Sequence, residues 1–342
     1  MKKIWMILPM ALVVLLGTAC NKSEEEVSSG NAASNTTNTG DDSSDFADNE
    51  TWSSTINIVW NGTNVTVTGS ADGVSVSNSN GYVTVTSTAK HIEYAVSGSG
   101  TGQLNIYSDY KFKLSLEGLS LACSDGPAIN NQCKKTCYAV LGGTNTLSDG
   151  SSYASSSEDR KAAFFSEGQI CFSGSGSLTI TGNYKHALAS DDYIRLCSGT
   201  GTIDLTAKVS DGLHTNDGVI INDGTLTINA VGEGIQCDTS SVVITGGTIT
   251  VTSTTDKGIL AYANIDISGG TITAVATGTS SSGWGSSSGT PEGIEAKGTI
   301  TISGGKVFAQ ANDRSASGAC CAPGARTAAP GIPAACGPRT GC

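Results

Sequence analysis

Apolar and polar residues alternate in short bursts along the middle of the chain, as in Thr225-Leu226-Thr227-Ile228 and Thr248-Ile249-Thr250-Val251. A period of two marks a β-strand with one face in a core and the other in water. The bursts recur. Gly201-Thr202, Gly224-Thr225, Gly247-Thr248 and Gly270-Thr271 follow one another every 23 residues. A second anchor runs beside them: Asp211-Gly212-Leu213, Glu233-Gly234-Ile235, Lys257-Gly258-Ile259 and Glu292-Gly293-Ile294, spaced by 22, 24 and 35. The longest spacing holds a Gly/Ser insertion over 278–289. Counting back by 25, Lys161-Ala162 and His186-Ala187 keep the register, and Asp125-Gly126 opens an earlier copy with its own insertion over 148–160. Short strands and Gly turns repeating at this length build a solenoid, because each copy buries its apolar face only against the next. A leucine-rich repeat would need a Leu ladder and an Asn turn, which are absent. The pattern therefore predicts an all-β fold, a right-handed parallel β-helix over 121–312. Residues 51–120 alternate in a looser register (Ile56, Ile58, Trp60; Val83, Val85; Leu104, Ile106) and predict an N-terminal β cap over the open edge.

Composition narrows the class further. Gly makes up 44 of the 342 residues and charged residues only 14%, against roughly 25% in an average chain. This excludes a helical bundle or coiled coil, and 38% apolar content excludes a disordered chain. The net charge of −11 is uneven, since residues 20–50 carry eight acids and one Lys. No Lys/Arg stripe is present, so nucleic acid is not an expected partner.

The N-terminus predicts an address and a tether. Lys2 and Lys3 precede an apolar run, Ile4 to Leu16, which ends at Gly17-Thr18-Ala19-Cys20. This is the layout of a secretory signal over 1–19. A Cys directly after the small residues resembles the bacterial lipoprotein box, with Cys20 as the lipidated residue; an ordinary signal with an incidental Cys is the plain alternative. The run is shorter than the roughly 20 residues that span a bilayer. Residues 20–50 are Ser, Asn, Thr, Gly and acid, which predicts a disordered acidic tether. Together these predict a secreted, membrane-anchored lipoprotein at the cell surface.

Repetition also stacks carboxylates. With the residue before the Gly/Ala anchor as position zero, position six reads Asn131, Glu167, Asp192, Asp217, Thr239, and position five reads Asn130, Ser166, Asp191, Asn216, Asp238. Asp211 and Glu233 stand at position zero. Like charges on adjacent coils, about 5 Å apart, repel. A hard cation relieves that, and Ca²⁺ suits an all-oxygen set drawn from Asp191, Asp192, Asp211, Asn216, Asp217 and Asp238. Outward-facing solvated acids at a turn are the plain alternative.

The segments Gly126-Pro127-Ala128-Ile129, Gly143-Thr144-Asn145-Thr146-Leu147-Ser148-Asp149-Gly150, Lys185-His186-Ala187-Leu188-Ala189-Ser190-Asp191-Asp192-Tyr193-Ile194 and Asp211-Gly212-Leu213-His214-Thr215-Asn216-Asp217 resemble one family. It is the bacterial carbohydrate-binding β-helix family of clostridial cellulose- and acidic-sugar-binding proteins, related in fold to calcium-dependent pectate lyases. The resemblance covers residues 55–312 and implies Ca²⁺ on the helix flank and adhesion to cellulose or polygalacturonate-like polysaccharide. Ala187 stands where the family more often has Gly, and Lys257 replaces an acid at position zero.

A pectate lyase would also need a Lys or Arg to remove the proton beside a uronate carboxylate. Lys185, Arg195 and Lys208 lie near the acidic copies, although such side chains are usually only solvated. His214 falls at an outward position beside Asp217, and Trp284 stands in the Gly/Ser insertion, where a ring could stack on a sugar. The reading is a lipid-anchored carbohydrate binder, with a calcium-dependent pectate lyase and a structural adhesin as alternatives. From Asp313 onward the chain turns rich in Ala, Pro and Cys and loses its alternation, as a frameshifted end or a disordered tail would.

Overall fold

The computed structural model describes residues 43–278 and 290–312. From Ile129 onward each coil holds three strands, beginning with Ile129–Asn131, Cys137–Gly142 and Thr144–Ser148 and ending with Ile294–Ala296, Ile300–Ile302 and Lys306–Ala311. Each strand pairs in parallel with its counterpart one coil on. Three parallel sheets thus enclose one core, and the chain is a parallel β-helix. The described residues contain seven such coils.

Side chains stack in register along the axis. On the first sheet Leu104, Ile129, Phe164, Leu188, Leu213, Ile235 and Ile259 form one inward ladder, all fully buried. On the third sheet Leu178, Ile203, Leu226, Ile249 and Ile272 form another. Burying each such side chain is worth about 1.5–3 kcal/mol. The next inward row of the first sheet is Asn131, Ser166, Ser190, Thr215, Cys237 and Ala261. Its polar members are satisfied: Asn131 Nδ2 donates to Ser166 Oγ at 2.8 Å, and Ser190 Oγ to the Gly168 carbonyl at 2.9 Å.

The two glycine anchors have different causes. Gly224, Gly247 and Gly270 enter the third sheet at φ of +94°, +81° and +81°, a conformation that L side chains avoid. Gly212 and Gly234 instead lie against the third sheet, and a Cβ there would run into Ile228 and Val251 respectively.

Two boundaries differ from those expected. Ser54–Gly62 pairs in parallel with Ile92–Thr101, which pairs in parallel with Phe112–Ala122, so much of 51–120 is already solenoid. Only Asn64–Thr68 and Val74–Ser79 run antiparallel, as hairpin partners at the end. The early coils lack the Gly-Thr anchor because Phe112–Ala122 spans a corner in one strand. It pairs with both Cys137–Gly142 and Thr144–Ser148, which later coils separate by a turn.

The second difference concerns residues 43–50, expected to be solvated tether. They form two 3-10 turns, Ser43–Asp45 and Ala47–Asn49, against the outer face of the second sheet. Asp45 Oδ2 meets Arg195 Nε at 2.6 Å, and Tyr193 Oη donates to Asp45 Oδ1 at 2.6 Å. Tyr138 Oη donates to the Ser44 carbonyl at 2.6 Å, and Trp52 packs edge-on against Tyr138. A buried arginine and two tyrosines order a segment whose composition alone resists ordering.

Candidate functional site: the outer face of the first sheet

The outward positions of the first sheet alternate with its inward ladders. One outward row runs Ala189, His214, Gln236, Leu260, Glu295. A second, at or just before the strand starts, runs His186, Asp211, Glu233, Lys257, Glu292, joined by backbone bonds from the residue after each to the next carbonyl. A third lies just past the strands: Glu167, Asp191, Asn216, Asp238.

The third row corrects one register. Ala162 pairs with His186 and Ser166 with Ser190, so Glu167 stacks on Asp191 and not on Asp192. Ala162, and not Lys161, is the counterpart of His186, and Asn131 and Ser166 fall with Ser190 in the inward row rather than beside Asp191 and Asp192. Burial, and next the charge of Asp191, push the Glu167 carboxyl above its ordinary range.

At the centre of the face Asp211 holds two histidines. Its Oδ2 lies 3.0 Å from His186 Nδ1 and 2.9 Å from His214 Nδ1, and the two imidazoles stack with centroids 4.2 Å apart. Its Oδ1 accepts the Glu233 backbone N–H at 3.0 Å and the Ser210 hydroxyl at 3.3 Å. His214 Nε2 faces Asp238 Oδ2 at 3.4 Å. All three residues of the cluster are buried. Burial pushes the Asp211 carboxyl up, but the bonds from His186 and His214 outweigh it and hold that carboxyl well below the usual range. Glu233 goes the other way: burial, then the negative charge of Asp211, push it up to about 8. Burial also lowers the His186 imidazole, against the pull of Asp211. One coil on, Lys257 Nζ reaches Asp256 at 2.6 Å and Glu295 at 3.7 Å, while burial and then Glu295 push Glu292 up to about 6. An acid and a base with displaced proton affinities therefore share one face, the pattern of sites that move protons or bind ions.

The residues expected to ligate calcium divide into two sets. Asp211 is held by the histidines. Asp191 is paired with Lys161 Nζ at 2.5 Å, and Asp238 accepts from Gln236 Nε2 at 2.7 Å. Asn216 Nδ2 lies 3.4 Å from Asp191 Oδ1. Asp192 and Asp217 sit on adjoining coils, where the Asp217 N–H donates to the Asp192 carbonyl at 3.2 Å. Burial, and after it the Asp217 charge, push the Asp192 carboxyl up. Among the described residues no basic side chain pairs with either acid.

Of the candidate bases, Arg195 is corrected. It is buried beneath residues 43–50 in the ion pair with Asp45 and is part of the architecture. Lys185 and Lys208 are exposed in turns that precede first-sheet strands, outside the cluster. The carboxylates beside His214 are Asp211 and Asp238 and not Asp217. Trp284 and Cys20 lie outside the described residues. Sequence reasoning passed over His186 and Glu233 as functional groups. Their signal was available, since both occupy the row of Asp211 that the second anchor defines.

The solved structure of a polysaccharide lyase-like protein from C. thermocellum, a gadolinium derivative, is similar to this chain. The two share a TM-score of 0.56 at 22% identity over 77% of this chain and 98% of that one, which is a likeness of fold. No curated protein matches the sequence. A family model described as carbohydrate-binding domain-containing protein matches residues 79–322, which take in all seven three-strand coils and the whole of the histidine–carboxylate face. The chain belongs to this family of carbohydrate-binding domain proteins.

Proposed function

We propose that this protein is a secreted, lipid-anchored adhesin that holds polysaccharide along the outer face of the first sheet, and that calcium at Asp192 and Asp217 bridges acidic glycans to it. The observation that carries the reading is the face itself. Hydrogen-bonding and ionisable side chains stand in three adjoining rows, interrupted at Ala189 and Leu260, with coils spaced by about 4.8 Å. A linear polymer meets the same kinds of group again at each step. Asp192 and Asp217 fit calcium in donor type, being two carboxylates without a cationic partner among the described residues. Six to eight oxygens complete the shell of that ion, so glycan and water oxygens share it with the protein. Anchoring through Cys20 would keep the face at the cell surface.

Retention on polygalacturonate and on cellulose, with and without EDTA, tests the reading. The expected result is calcium-dependent retention on polygalacturonate that Asp192→Asn/Asp217→Asn abolishes, with cellulose unaffected by chelator. Undiminished polygalacturonate binding in EDTA would remove calcium from the account, and no retention on either polymer would leave a structural adhesin. The displaced proton affinities of Asp211 and Glu233 favour a second reading, a lyase that removes the proton beside a uronate carboxylate. Sustained ultraviolet absorbance from pectate, abolished by Glu233→Gln, would establish that activity over simple adhesion.

A further inference from the structure

We propose that His186, Asp211 and His214 form a site for one divalent cation of the zinc class, with its remaining coordination position open toward the outer face of the first sheet. The inference does not rest on the glycan reading, and it concerns other atoms than the Asp192–Asp217 pair. Among the described residues this is the one group of three His, Cys, Asp or Glu ligand atoms that lie within 4.8 Å of one another. Two imidazoles and one carboxylate suit zinc, nickel or copper, whereas calcium selects oxygen alone. Three protein ligands with a vacant fourth position are the arrangement of reactive zinc sites.

The distances agree with this assignment. Zinc bonds of about 2.0–2.1 Å place tetrahedral ligand atoms about 3.3 Å apart. The Nδ1 atoms of His186 and His214 already lie 3.0 and 2.9 Å from Asp211 Oδ2, and because the two rings stack within 23° of parallel, one imidazole turns about its side-chain bonds for both lone pairs to meet one ion. The surroundings are those that orient metal ligands. Asp238 Oδ2 stands 3.4 Å behind the far nitrogen of His214, which makes a carboxylate–imidazole pair behind the ligand atom. The free oxygen of Asp211 is fixed by the Glu233 N–H and the Ser210 hydroxyl.

The competing arrangement is a proton-held triad in which both Nδ1–H groups donate to Asp211. The backbone N–H of Asp211 also points at His186 Nδ1 at 3.3 Å, and a proton or a cation on that nitrogen would displace it equally, so cobalt binding separates the two arrangements.

Cobalt(II) titration of the full chain at pH 7.5, followed in the visible range, tests the site. The expected result is weak d–d absorption that saturates at one equivalent and is displaced by zinc, without the intense near-ultraviolet band of a cobalt thiolate. That last readout matters because the chain also holds 11 cysteines. His214→Gln should abolish the absorption while the apo protein melts as wild type. Asp238→Asn, which removes no ligand, should weaken cobalt binding about 10- to 100-fold. If His214→Gln fails to fold, Asp238→Asn decides the matter alone. Absence of saturable binding, a thiolate band, or unchanged affinity in Asp238→Asn would each overturn the proposal.

Discussion

On the second sheet, Arg195 and Asp45 face each other at 2.6 Å with side-chain exposures of 2% and 4%, where residues 43–50 form a strap that lays Asp45 over the arginine. On the first sheet, Asp211 lies between two histidines and beside Glu233, with further carboxylates at Asp238, Glu292 and Glu295 and two lysines, Lys257 and Lys297, beside the last. Both regions place charge on the outside of the same solenoid. In the first, one cation meets one anion, and the Tyr193 hydroxyl and Asn222 complete their bonding. In the second, acids outnumber cations and proton affinities are displaced in opposite directions. A matched and covered pair fixes the path of the chain. A mismatched, uncovered set is poised to take up protons or cations, and that costs stability which the coils supply elsewhere.

The strap gives the largest effect. Asp45→Ala should destabilise the protein by about 3–5 kcal/mol, because it leaves a guanidinium buried without its anion. Chemical denaturation would measure this, and Asp45→Leu/Arg195→Met should recover most of the loss, since no charge then remains to be solvated. A loss below about 1 kcal/mol for Asp45→Ala would mean that the strap lifts off at little cost, and the contrast between the two faces would fail.

How far each region was legible follows from its physics. The solenoid was readable because the positive φ recurs at Gly224, Gly247, Gly270 and Gly305, and the close packing at Gly212 and Gly234, so that successive coils impose a sequence period. The acidic rows were readable from the same period from His186 onward; before it Ala162, and not Lys161, is the counterpart of His186, so Glu167 lies one position and Asn131 two positions from where the period put them. The strap was not readable. Asp45 and Arg195 are 150 positions apart, and one of eight acids in a Ser/Asn-rich segment has the composition of a tether. The histidine cluster was half legible: the anchor put His186 and Asp211 in one row, but nothing in a row says that two imidazoles turn their Nδ1 atoms onto one oxygen.

A smaller effect is expected at Glu233, and it depends on pH. Its carboxyl titrates at about 8 in the folded chain, against about 4.3 when unfolded. The native state therefore holds a proton that the unfolded state releases between those values. Its contribution is complete below about pH 4.3 and is lost as pH rises through 8. His186 and Asp211 act in the opposite sense. Both are shifted down, so their contributions fade as pH falls, below about 6.5 and 3.9 respectively. The difference between wild type and Glu233→Gln cancels those shared terms. The variant should match wild type near pH 4.5 and exceed it near pH 8.5, by on the order of 1 kcal/mol once solvent screening is allowed for. A constant difference across that range would show that Glu233 is not held protonated beside Asp211.

The smallest effect is expected at the far end of the same face. Lys297 pairs with Glu295 and is 46% exposed, in contrast to the covered pair at Arg195. An exposed ion pair gains little over its hydrated partners and loses side-chain entropy. Lys297→Ala should therefore change stability by less than about 0.5 kcal/mol in denaturant titrations, and less still at high salt. Its electrostatic consequence should be local. Burial and the charge of Glu295 push Glu292 up to about 6, and Lys297 opposes that rise, so its removal should move the Glu292 titration further upward. Carboxylate chemical shifts followed from pH 5 to 8 would record the change. If Lys297→Ala instead cost as much as Asp45→Ala, the acidic face would be a connected load-carrying network like the strap, and its surplus carboxylates would have to be read as architecture.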